Sequence, residues 1–157
     1  ASYLMMPSEI LTSIQEQYKI TLILINNNGY ASIGGLSKAV GGDEFGTKFN
    51  YRNPKTGQLD GDVLTVDLAK NAESLGAIVY KPKSLGAFTT ALQNAKENTT
   101  TTVICVNTQS DRKLAGYAYS WWEVPVPEIS AFSEVRKARD TYEENKKRQR
   151  QYLKPNN

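Results

Sequence analysis

The chain alternates short apolar runs with segments whose apolar residues recur every three or four positions. The run Ile20-Thr21-Leu22-Ile23-Leu24-Ile25 has no polar alternation and stops abruptly at Asn26-Asn27-Asn28-Gly29-Tyr30. Such a run predicts a strand buried on both faces, the kind found in parallel sheets covered by helices. Before it, Pro7 to about Tyr18 carries Ile10, Leu11, Ile14 and Tyr18 at helical spacing, with Pro7 and Glu9 suited to the first turn. After it, Asn26 to about Asp62 shows weak periodicity and many glycines, with a helical turn expected at Ser37 to Val40 and a tight turn at Asn53 to Gly57.

Regular elements return at Asp67 to Gly76, a helix with Leu68, Ala72 and Leu75 inward and Gly76 as its stop. Ala77 to Tyr80 predicts a short strand. Ser84 to about Asn98 predicts a helix with Leu85, Phe88, Leu92 and Ala95 on one face. Thr101 to Val106, which contains Cys105, predicts a second buried strand. This order, strand, long loop, helix, strand, helix, strand, is the signature of an α/β fold: a parallel sheet with helices on both faces. From Leu114 to Pro127 the chain is rich in aromatic residues (Tyr117, Tyr119, Trp121, Trp122) and has no clear period. Phe132 to about Leu153 predicts a charged helix with a thin stripe of Val135, Ala138, Tyr142 and Tyr152 and with Glu143–Lys147 and Glu144–Arg148 pairs. The domain organisation expected is residues 1–109 as an α/β domain and residues 110–157 as an extension packed on it.

Composition narrows the chemistry. The 157 residues include no histidine and one cysteine, so no Ser-His or Cys-His pair and no intrachain disulfide can be built from them. A lone cysteine fits a reducing, cytoplasmic setting. The net charge of +3 does not by itself call for nucleic acid. No apolar run approaches the roughly 20 residues of a membrane span. The opening Ala1-Ser2-Tyr3-Leu4-Met5-Met6 reads as the middle of a packed element, with Met5 and Met6 in the core, and suggests the C-terminal piece of a longer polypeptide.

The amides after the first strand stand where open α/β sheets hold ligands, outside the carboxyl ends of the strands. A hard divalent cation such as Mg²⁺ takes about six oxygens, shared between protein and phosphate. The Asn27 side-chain oxygen and the Gly29 carbonyl can supply two, with Gly29 letting the backbone turn. The carboxylate that would complete the set belongs just before Ala1.

Ala1-Ser2-Tyr3 followed, about two dozen residues on, by Asn26-Asn27-Asn28-Gly29-Tyr30 resembles the thiamine-diphosphate-binding motif. In that family a Gly-Asp-Gly or Gly-Asp-Ala triplet precedes an Asn-Asn pair at the end of a buried strand. The resemblance implies that Ala1 is the third residue of the triplet and that the metal-binding Asp lies just before it. It makes Asn27 the metal-ligating amide and Gly29 the carbonyl ligand. Ala1, Ser2, Tyr3 and Tyr30 then lie beside the thiamine diphosphate. Asp67 to Gly76 is similar to the family's pyrophosphate-binding domain, so the fold expected is an N-terminally truncated form of that domain with a helical extension.

Within the family, three segments resemble the branch of trihydroxycyclohexane-1,2-dione hydrolases of myo-inositol catabolism: Asn26 to Ser37, Gly57 to Asp62, and Ser120 to Val126. That resemblance implies a carbon–carbon hydrolase of a cyclic polyol-dione that uses thiamine diphosphate and Mg²⁺, works as a homo-oligomer (dimer or tetramer), and binds neither membrane nor nucleic acid. The chemistry is the cofactor's; the protein orients, binds metal and sets the electrostatics. The activating glutamate is expected in an amino-terminal domain outside this chain, so the piece alone should be inactive. Tyr30 to Phe49 is the expected wall or lid over the reacting centre. An acetolactate-synthase-like or oxo-acid decarboxylase reaction, and a non-catalytic α/β binding module, remain open beside it.

Plainer readings stand alongside. Asn and Gly are favoured in any turn after a strand. The glycine-rich stretch is as readily disordered as lid-forming, and no Gly-Lys-Ser/Thr makes it a P-loop. Trp121 and Trp122 read as packing residues, and Lys146 to Arg150 as a solvated helix face. Cys105 reads as a small buried hydrophobe.

Overall fold

The computed structural model describes residues 2–108 and 125–149. Ala1, the segment holding Tyr117, Tyr119, Trp121 and Trp122, and the stretch from Arg150 through Tyr152 lie outside the described residues. The elements are α1 (Ser2–Met5), α2 (Glu9–Gln15), β1 (Thr21–Asn26), α3 (Ala31–Ala39), α4 (Leu68–Ser74), β2 (Ile78–Tyr80), α5 (Leu85–Glu97), β3 (Thr102–Asn107) and α6 (Ser133–Lys146). They fall into two compact units, residues 1–30 with 49–112 and residues 31–48 with 113–157.

The first unit is built on a three-stranded parallel sheet in the order β1-β3-β2. On one face, Leu24, Val103 and Cys105 pack with Ile10 of α2 and with Leu68, Ala69 and Ala72 of α4. On the other, Ile104 packs with Ala91 and Ala95 of α5, joined by Phe88, Leu92 and Val106. The α/β architecture with helices on both faces is therefore as expected. Removing a side chain such as Ile10, 1% exposed, from water contributes about 1.5–3 kcal/mol.

The caps follow the local chemistry. Asp67 accepts from the Lys70 N–H at 3.0 Å and starts α4. Gly76, at φ +97°, ends that helix in a conformation that L side chains avoid. Ser84 accepts from the Ala87 N–H at 3.2 Å and starts α5.

Several expectations are corrected. The strand buried on both faces is β3, which is central; β1 lies at the sheet edge, and its Ile23 and Ile25 are 49% and 50% exposed. Helix α5 covers Ile104 and Val106 but not their β1 neighbours. Helix α2 stops at Gln15 because Gln17 turns left-handed at φ +58°, which takes Tyr18 off the inner face and leaves it 75% exposed. Leu11 is exposed as well. Met5 and Met6 are exposed rather than core. Tyr3 is the residue of α1 that packs on the core, and successive helical residues are about 100° apart, so Met5 points about 200° away from it. Leu85 occupies the first position of α5 and is exposed, one turn beyond the residues that meet the sheet.

A buried hydroxyl pair ties α2 to the start of β3. Ser13 Oγ and Thr101 Oγ1 are 2.7 Å apart, and Thr101 Oγ1 also accepts from the Ile20 N–H at 3.3 Å. Thr101 is 1% exposed. Thr101→Val keeps the shape but removes the acceptor of the Ile20 N–H, while Ser13 Oγ keeps its bond to the Ile10 carbonyl, and is expected to destabilise the domain by about 0.5–1.5 kcal/mol in chemical denaturation.

In the second unit the supposed helical turn at Ser37 to Val40 proves to be the end of a nine-residue helix, α3. Its two glycines disguise it, since glycine is a poor helix former. Gly34 allows a close approach: a Cβ there would stand 2.7 Å from Thr47 Oγ1. The turn after α3 places Gly41 (φ +87°) so close to α6 that a Cβ would stand 2.6 Å from the Ala138 Cβ. Val126 and Val135 are buried, and Arg139 donates to the Val126 carbonyl at 2.8 Å. The ion pairs along α6 differ from those expected: Glu143 pairs with Arg139, and Glu144 with Lys147 at 2.6 Å. Arg139 and Lys146 both lie over the Tyr142 ring. Among the described residues, no helix is long and apolar enough to cross a membrane.

Candidate cofactor and metal site

Strands β1 and β3 each end in an asparagine, and the parallel register sets Asn26 beside Asn107. Asn26 donates its side-chain N–H to the Asn107 Oδ1 at 3.0 Å. Its own Oδ1 accepts from the Asn28 N–H at 3.1 Å. Asn28 sits in the left-handed region at φ 55°, which asparagine tolerates better than most residues. The expected agent of the turn, Gly29, is not in that region; it is buried, and Asn28 makes the bend. The Asn28 carbonyl accepts from the Phe49 N–H at 2.9 Å, and the Phe49 ring meets Tyr30 edge-on with centroids 5.7 Å apart.

These contacts hold Asn27 between two fixed neighbours. Its Oδ1 is buried and has no hydrogen-bond partner. A buried acceptor left unsatisfied costs about 1–3 kcal/mol, so an orphan of this kind calls for a ligand. An amide oxygen at the carboxyl end of a parallel strand suits a hard cation bridging to phosphate, and the residues present fit Mg²⁺ with a diphosphate. Among the described residues, no cluster of three or more His, Cys, Asp or Glu side chains could hold a metal. A cation at this turn would meet amide and carbonyl oxygens.

The remaining expected residues are placed as follows. Tyr3 donates its hydroxyl to Asn71 Oδ1 of α4 at 2.7 Å, and its ring packs on the core. Ser2 is exposed at the start of α1, and Ala1 lies outside the described residues. Sequence reasoning missed Asn107, and gave Phe49 only as the end of the expected lid. The signal for Asn107 was present, because both apolar runs end in Asn; nothing in the sequence marks Phe49 as a partner of Asn28. A cavity of about 510 Å³ also opens at the strand ends, lined by Ile25, Phe88, Val106 and Asn107 with Lys81 and Ser84.

Cys105 is part of the core. Burial pushes its thiol up and Asp67 adds to this, while Lys81 acts the other way. Burial, and then Cys105, likewise push the Tyr3 phenol up. A thiol raised in the fold costs nothing below its ordinary range of about 8.5. As pH rises through that range the unfolded chain ionises first, so stability falls. Thermal melts from neutral to alkaline pH should show this decline, and Cys105→Ala should make it shallower.

The family described as thiamine pyrophosphate enzyme, C-terminal TPP binding domain, matches residues 1–106. A 3D-(3,5/4)-trihydroxycyclohexane-1,2-dione hydrolase of Geobacillus thermodenitrificans is 39% identical over 151 residues, covering 96% of this chain and 24% of the relative. A protein of the same name from Bacillus thuringiensis is 36% identical over the same length, with 23% of the relative covered. The chain thus spans about a quarter of the length of the curated relatives it matches. With a parallel α/β sheet and a family match over residues 1–106, the chain belongs to the thiamine pyrophosphate enzymes and carries their C-terminal TPP-binding domain.

Proposed function

We propose that this domain serves a carbon–carbon hydrolase that opens a cyclic 1,2-dione, trihydroxycyclohexane-1,2-dione, to 5-deoxy-glucuronate in myo-inositol breakdown. The single observation that carries the site is the buried, unpartnered Asn27 Oδ1 at the end of β1. Likeness to two hydrolases of that name along 96% of the chain supports the substrate.

Asn27 Oδ1 and the Gly29 carbonyl would hold Mg²⁺, together with an Asp expected just before Ala1. Ala1, Ser2, Tyr3 and Tyr30 would lie along the cofactor, whose diphosphate charge the bound cation would offset. Tyr3 also gives its hydroxyl to Asn71, which ties α1 to α4. When bound, thiamine diphosphate supplies the electron sink for breaking the bond between the two carbonyl carbons. Phe49, whose N–H donates to the Asn28 carbonyl and whose ring meets Tyr30, steadies the turn beside the reacting centre. One water is consumed: its hydroxyl ends on one former carbonyl carbon as a carboxyl, and a hydrogen on the other as an aldehyde. The activating glutamate comes from another domain, the complete site from a homo-oligomer. Residues 110–157 act as an extension of the cofactor domain. A lone buried cysteine supports a cytoplasmic setting.

The test is product analysis. The full-length protein with thiamine diphosphate and Mg²⁺ is given the cyclic dione or pyruvate. An open-chain deoxy-uronate, formed without carbon dioxide, is expected. Carbon dioxide or acetolactate from pyruvate, with the dione untouched, would assign the domain to a decarboxylase or synthase instead.

A further inference from the structure

We propose that Asn107, acting through Asn26, is a positioning residue for the metal ligand Asn27. The inference rests on the metal reading of Asn27 given above. A backbone N–H can only donate, so the Asn28 N–H fixes the Asn26 oxygen on its side at 3.1 Å. The Asn26 amide nitrogen must then face Asn107, and Asn107 must present its oxygen, as it does at 3.0 Å. This one chain of contacts, from the end of β3 across to the turn after β1, holds Asn28 in its left-handed conformation. Asn27 lies between the two residues so held, and its buried oxygen has no partner of its own to keep it in place. If Asn107 loses its acceptor, Asn26 is free to rotate, the Asn28 N–H loses its fixed partner, and Asn27 is no longer aimed.

The backbone does not need this contact. The Thr108 N–H donates to the Asn26 carbonyl at 2.9 Å whatever side chain stands at position 107. Asn107 is exposed, so a change there leaves the core untouched. A positioning role is thereby separable from a structural one. Partners that orient a metal ligand typically matter by roughly 10–100-fold in metal affinity.

The experiment measures Mn²⁺ binding to the full-length protein in the presence of thiamine diphosphate, by the electron paramagnetic resonance of free Mn²⁺. Wild type, Asn107→Leu and Asn107→Asp are compared, with the melting temperature of each metal-free protein. Asn107→Leu is expected to bind Mn²⁺ roughly 10–100-fold more weakly at an unchanged melting temperature. Asn107→Asp keeps the acceptor oxygen and should restore most of the affinity. Should Asn107→Leu fail to fold, Asn107→Ser, too short to reach Asn26, takes its place with the same expected loss. Unchanged affinity in the Leu or Ser variant would overturn the inference, as would equal weakening in Asn107→Asp. No Mn²⁺ binding by the wild type would instead overturn the metal reading of Asn27, and the inference with it.

Discussion

Asn27→Ala is expected to weaken Mg²⁺-dependent binding of thiamine diphosphate by more than about 100-fold, beyond the range seen when only a supporting partner is lost. The metal would lose a ligand that no neighbour can replace, because Asn26 is spent on Asn107 and on the Asn28 N–H. The metal-free protein should respond in the opposite sense. The Asn27 oxygen is a buried acceptor without a partner, and deleting it removes a penalty of about 1–3 kcal/mol. Calorimetric titration with the full-length protein checks the first effect, and thermal melting without metal checks the second. A residue that lowers affinity when removed, yet leaves the empty protein as stable or more so, is there for a ligand and not for the fold.

Gly41→Ala is expected to give the largest loss of stability outside the core. Gly41 stands at φ +87°, and an added Cβ would come within 2.6 Å of the Ala138 Cβ on α6. The left-handed conformation costs an L residue about 1–2 kcal/mol, and overpacking about 1–3 more. Together the substitution should destabilise the second unit by about 2–5 kcal/mol. Hydrogen exchange should quicken in α3 and α6, since Gly41 follows the first and abuts the second. Ala138→Gly removes the opposing methyl. In the double variant the steric part should disappear and the backbone part remain, and a double-mutant cycle separates the two. Purely additive effects would mean that Gly41 and α6 are not in contact.

Much of the fold was legible because local signals agreed with one another. Asp67, the apolar stripe behind it and Gly76 all mark the same helix, and Ser84 with Phe88, Leu92 and Ala95 marks the next. What escaped depended on neighbours. The run at β1 looks as apolar as that at β3, and only the strand order puts one at the edge and the other at the centre. Helix α3 carries two adjacent glycines, so its propensity is poor, and packing such as that of Gly34 on Thr47 supports it instead. The length of α2 turned on one left-handed residue, Gln17, which no pattern announces.

The site divides in the same way. Asn27 and Gly29 were singled out by their place after a buried strand and their distance from Ala1. The turn itself was ascribed to the glycine because glycine takes positive φ most easily, whereas Asn28 takes it here, with the Asn26 oxygen on its N–H. Asn107 lies 81 residues from Asn26, and only strand pairing brings them together. Tyr3 was read from the motif alone; its hydroxyl bond to Asn71 joins residues 68 apart in the chain.

The most direct measurement is a crystal structure of the full-length protein with thiamine diphosphate and Mn²⁺ in place of Mg²⁺. An anomalous peak is expected within about 2.3 Å of both the Asn27 Oδ1 and the Gly29 carbonyl oxygen, with the diphosphate on its far side. A peak away from the turn after β1, or an Asn27 oxygen hydrogen-bonded to a protein donor in the loaded site, would contradict the metal role from which the proposed chemistry follows.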